Sequence, residues 1–269
     1  MHFTPLAIRY EPGQSDYRPN WPAPTGRFLN AEHAGVYEAT KDLPGWQSPG
    51  DSFKLYEAAY WSGSVILEVG VFGGRSAVVE LSGALAAVVD REGQAPQYYG
   101  VDPDPSAFPR ATQTLRSRRL EDRALLYRGD LRQFIHDLPV TPTMVFVDGS
   151  HEYEGVWADL EALSRFLCPG TPVLCHDFSN PEVPGVRRAV EDWIRRGAFE
   201  HWGVSANTCV LRASDCCRGG PPRGLSEGVF RRTASALATC YADRPASEYR
   251  PDVAEMTHGA RQELGFAVA

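Results

Sequence analysis

Short, uninterrupted apolar runs alternate along this chain with longer stretches in which apolar residues recur every three or four positions. The runs at 65–69, 98–102, 124–127, 145–148 and 170–177 are rich in β-favouring residues, as expected of strands buried on both faces. Helical spacing recurs between them. It marks 52–61, 77–89, 108–119, the stretch carrying Tyr153, Val156, Leu160, Leu163 and Leu167, and 186–194. Asp51 or Ser52 is the expected N-cap of the first of these helices. Residues 198–204 and 208–212 read as a closing hairpin. Strand and helix in alternation predict an α/β, doubly wound, mostly parallel sheet.

The first strand runs straight into Gly70-Val-Phe-Gly-Gly-Arg-Ser76, a turn tight enough to start a helix at once. Gly70, Gly73 and Gly74 allow close approach to a ligand, and the helix beginning near Ser76 offers a positive dipole end to a carboxylate or phosphate. A dinucleotide site would read G-x-G-x-x-G, whereas here the pattern is E-x-G-x-x-x-G-x-S through Glu68, Gly70, Gly74 and Ser76. An acid at Glu68 would repel a pyrophosphate. Asp102, ending the second strand, is placed to accept hydrogen bonds from ribose hydroxyls. Asp148, His151, His176 and Asp177 close the fourth and fifth strands, and with Glu68 they should converge outside the carboxyl ends of the sheet. Such a group is costly to leave unpaired, and a bound cation relieves that cost.

Composition narrows the partners. A formal net charge of -7 over 269 residues, with no run of five like charges, argues against nucleic acid. No window approaches the length of a membrane span, and the N-terminus lacks a signal-peptide pattern, so a cytoplasmic protein is expected. The six cysteines form neither a C-x-x-C pair nor a paired His spacing, and Cys175 and Cys209 are expected to be small buried hydrophobes.

The Glu68 to Ser76 pattern resembles the first motif of class I S-adenosylmethionine-dependent methyltransferases. Asp148-Gly-Ser-His151-Glu-Tyr, Val156-Trp-Ala-Asp-Leu160 and the acidic end of strand five narrow this to metal-dependent O-methyltransferases of natural-product sugars, similar also to the rhamnosyl O-methyltransferase and cephalosporin hydroxylase-like proteins. The resemblance implies a Rossmann-like, seven-stranded, mostly parallel sheet with a closing antiparallel strand. It sets Glu68 and Gly70 against the methionine half of the cofactor, Ser76 on its carboxylate, and Asp130 near its adenine. Asp148 is implied as a metal ligand, His151 as the base, and Asp177 as a further ligand beside His176, which stands where those enzymes have an acid. Imidazole binds magnesium poorly. His176 therefore leaves open a metal held by fewer groups, a softer ion such as manganese in place of Mg²⁺, or no metal.

Residues 51–213 are expected to form the methyltransferase domain, between an irregular arm at 1–50 and an extension at 214–269 with one amphipathic helix at 229–241. The expected acceptor is a small molecule, a sugar or glycosylated natural product, with no nucleic acid or membrane partner, and the protein is expected to be a homo-oligomer. The rival readings are a nicotinamide-dependent oxidoreductase, against which the missing glycine pattern counts, and a non-catalytic cofactor-binding subunit.

Overall fold

The computed structural model describes residues 31–91, 94–137 and 140–219, together with 224 and 226. The expected helix at 229–241 lies outside the described residues. Two helices precede the sheet, α1 (Ala31–Thr40) and α2 (Pro49–Ser62). α1 falls in the stretch whose sequence reads as irregular, because its alanines and polar residues make no clear apolar stripe. α2 starts earlier than its apolar spacing indicates. Its N-cap is Ser48 rather than Asp51 or Ser52: the Ser48 hydroxyl accepts from the Asp51 N–H, the Asp51 carboxylate accepts from the Ser48 N–H, and Pro49 opens the first turn.

Then follow β1 (Val65–Val69), α3 (Arg75–Arg91), β2 (Gln97–Asp102), α4 (Ala107–Ser117), β3 (Ala124–Arg128), α5 (Leu131–Asp137) and β4 (Met144–Val147). The chain continues through α6 (Tyr153–Phe166), β5 (Pro172–Cys175), α7 (Pro184–Arg195), β6 (Phe199–Ser205) and β7 (Thr208–Ala213). The seven strands form one sheet in the order β3-β2-β1-β4-β5-β7-β6. β1 to β5 run parallel, while β7 pairs antiparallel with both β5 and β6. This is the Rossmann-like arrangement the residue pattern predicts. Successive side chains of each parallel strand enter opposite layers. Ile66, Tyr98 and Phe146 pack with residues of α2, α3 and α4, whereas Leu67, Tyr99 and Val145 pack with residues of α5, α6 and α7. Cys175 and Cys209 are fully buried, free, and opposite one another across β5 and β7, as small hydrophobes. No helix among the described residues is long and apolar enough to cross a membrane.

Strand order reverses between β1 and β4. The Asp148 N–H donates to the Val69 carbonyl (2.7 Å) and the His176 N–H to the Val147 carbonyl (3.0 Å), so the residues just past β1, β4 and β5 stand at one level. Gly70 has φ +92°, and a Cβ there would lie 2.1 Å from the Asp148 carbonyl oxygen. Only glycine lets these two loops touch.

Candidate active site

A cavity of about 940 Å³ opens at this switch point, where ligands bind in open α/β sheets. Gly70, Ser76, Asp102, Asp130, Asp148, His151, His176 and Asp177 all line it. Two of the expected residues do not. Glu68 is fully buried beneath the wall, where its carboxyl accepts hydrogen bonds from the hydroxyls of Ser76 and Tyr98, and Gly74 turns toward Ala111 of α4. Glu68 therefore supports the loop from below. The Ser76 hydroxyl donates to Glu68 rather than into the cavity.

Asp102 keeps the position its strand predicts. Its two carboxylate oxygens accept from the Phe72 N–H (2.9 Å) and the Asp104 N–H (2.8 Å), which fix its orientation and leave further lone pairs toward the cavity. Phe72 adopts φ 44°, a left-handed conformation unusual for a bulky residue, which costs about 1–3 kcal/mol and is held by that bond to Asp102. Asp130 accepts from the Gln133 N–H (3.0 Å) at the start of α5. Across the cavity from the sheet, Asp159 of α6 also lines the wall, and burial pushes its carboxyl up to about 6 against the pull of Arg132.

The acids past β4 and β5 meet two imidazoles. His151 lies at the entry to α6, immediately before the Glu152 N-cap. Its side chain is half exposed, and Nε2 stands 3.1 Å from Oδ2 of Asp177. His176 is buried, with Nδ1 at 3.2 Å from Asp148 and 3.4 Å from Asp177, and Nε2 at 3.5 Å from Asp51. Burial alone would lower its pKa. Attraction to Asp148, Asp177 and Asp51 overrides that and pushes it up to about 12, so His176 is an imidazolium. A protonated ring facing three carboxylates offers a metal no lone pair, and the donor atoms that lie together at this site come from Asp148, His151 and Asp177.

The same contact sets the acids. Burial would raise Asp177, but His176 and the Asn180 side chain bring it down to about 2, whereas for Asp148 burial wins and its pKa stays above the usual carboxylate range. Asp177 itself takes φ 55°, turning the chain sharply so that its carboxylate faces back toward His151. One ligand atom each from Asp148, His151 and Asp177 can lie within 4.8 Å of the others, a donor set able to hold a cation.

Asp51 was legible only as a helix cap. Its Oδ1 accepts from the Asn207 N–H (2.9 Å) and the Thr208 hydroxyl (2.8 Å), while Oδ2 faces Ser48 and His176. The Ser48-x-x-Asp51 spacing signals the cap, and nothing local signals the second task.

Residues 67–178 match a family model described as Methyltransferase domain, and none of the curated proteins matches the chain. The fold is also that of solved O-methyltransferases. One from Bacillus cereus, in complex with SAH, superposes with a TM-score of 0.54 at 17% identity over 68% of this chain and 90% of its own. TomG of Streptomyces achromogenes, involved in tomaymycin synthesis and solved with SAM, gives 0.51 at 18% over 67% and 87%. The SAH-bound methyltransferase PaMTH1 of Podospora anserina gives 0.55 at 12% over 70% and 89%. The matched stretch runs across β1 to β5, and the cavity opens at the carboxyl ends of those same strands.

Proposed function

We propose that the protein methylates a hydroxyl of a small acceptor, a sugar or another natural-product scaffold. The observation that carries this reading is the meeting of Asp148, His151 and Asp177 on the wall of the switch-point cavity. The names of the B. cereus enzyme and TomG, both O-methyltransferases, support oxygen as the accepting atom. When bound, the sulfonium cofactor supplies a methyl group already activated for displacement. Asp102 is suited to its ribose hydroxyls and Asp130 to its adenine end.

Alcohols are weak nucleophiles at neutral pH, so proton removal is the chain's main task. With its Nε2–H donated to Asp177, the His151 ring keeps a lone pair on Nδ1 that can take the hydroxyl proton. Asp177, ionised down to about pH 2, then stabilises the imidazolium that forms. His176 fixes Asp148 and Asp177 in place by facing both. The carboxylates of these two acids suit magnesium or manganese, which when bound would lower the hydroxyl pKa and orient it.

Labelled cofactor offered with a panel of glycosylated and free hydroxyl acceptors, with and without chelator, tests the reading. Label in an ether oxygen, falling on chelation and restored by Mg²⁺ or Mn²⁺, is the expected result. Full turnover in chelator removes the metal and leaves His151 as base, and methyl transfer to nitrogen or carbon alone overturns the hydroxyl acceptor.

A further inference from the structure

Arg75 is the first residue of α3 and lies on the cavity wall, yet its side chain is only 5% exposed. Its Nη1 donates to the Gly45 carbonyl (3.2 Å), and the guanidinium lies over the Tyr37 ring at 5.2 Å. Nε and Nη2 are buried with no hydrogen-bond partner among the described residues. A buried guanidinium edge without an acceptor is costly, and the cost is relieved by an anion. Acids line much of the cavity, among them Asp51, Asp102, Asp148 and Asp177, but Arg75 is ion-paired to none of them. The N-terminus of a helix seventeen residues long adds positive potential at the same place.

We propose that Arg75 reads the α-carboxylate of the cofactor's amino-acid arm, through the planar edge formed by Nε and Nη2. The assignment rests on the cofactor reading above and replaces the hydroxyl of Ser76, which is turned to Glu68. A guanidinium edge matches a carboxylate with two parallel N–H···O bonds, a fit no other cavity-lining side chain near the glycine turn offers among the described residues. The acids elsewhere on the wall favour the cationic parts of the same ligand, its sulfonium and ammonium. Charge is thereby sorted along the cavity, so that the ligand enters in one direction.

The binding of S-adenosylhomocysteine and of its decarboxylated analogue to the full chain, to Arg75→Met and to Arg75→Lys distinguishes this role from a structural one. Wild type should prefer the intact ligand by at least about tenfold, the range of a charge-assisted pair. Arg75→Met should lose most of that preference while binding the analogue as wild type does, and Arg75→Lys should keep part of it. Equal loss for both ligands in Arg75→Met, or an unchanged preference, overturns the assignment. Failure of wild type to bind either ligand instead overturns the cofactor reading on which it rests.

Discussion

Carboxyl groups gather under the glycine turn and at the ends of β4 and β5, and the two gatherings are resolved in opposite ways. Glu68 and Glu80 are fully buried with no cation beside them among the described residues; Glu68 accepts from two hydroxyls, Glu80 faces Glu68, and both are pushed up by burial first, Glu68 to about 8 and Glu80 well above its ordinary value. Glu68 therefore keeps its proton at neutral pH. Asp148 and Asp177 instead face the buried imidazolium of His176, and Asp177 also faces the half-exposed His151. Acids that solve their burial by protonation support a loop, whereas acids that solve it by ion pairing beside open space keep charge available to a substrate.

The largest effect should come from His151→Ala, which on this contrast lowers turnover about 10²- to 10⁴-fold with cofactor affinity within twofold of wild type. Single-turnover rates and a cofactor titration separate the two; retained turnover would break the distinction between the groups. Asp102→Ala should weaken cofactor binding by about 1.5–3 kcal/mol, measured by calorimetry, since the Asp102 side chain is oriented by the Phe72 and Asp104 amides. The smallest effect belongs to Glu80→Gln, with turnover near wild type. Its signature is thermal. Folded Glu68 keeps a proton that the unfolded chain releases above about 4.5, so its contribution to stability is full below that pH and is lost as pH rises through about 8. The wild-type Tm should fall across that window, and Glu80→Gln, with one buried acid fewer, should fall less; an equal slope would show that the pair does not titrate as described.

The parallel sheet was legible because both its faces are covered, which leaves each strand as a bare apolar run, and because the acids that end β2 and β4 follow those runs directly. What could not be read were contacts made across the fold. Glu80 sits in the largely apolar middle of α3, and its neighbour Glu68 is on another element; Arg75 looks like any first-turn arginine until its buried edge is seen. Ser76 shows the same limit in reverse. Its place in the motif points outward to a ligand, and its hydroxyl points inward to Glu68. His176 likewise owes its charge first to Asp148 and Asp177 and in part to Asp51, which lies 125 positions earlier in the chain, a distance no local pattern spans.

Asp51 gives the site a birth order. It emerges from the ribosome early, capping α2, but the Asn207 amide and Thr208 hydroxyl that hold its other oxygen lie 156 and 157 residues later. Until the β6–β7 hairpin is synthesised and docks beside β5, the partner of His176 lacks its anchor. The cluster of Asp51, His176, Asp148 and Asp177 is thus a long-range product of folding, complete only after the turn at Gly70 and the strands beside it have been synthesised.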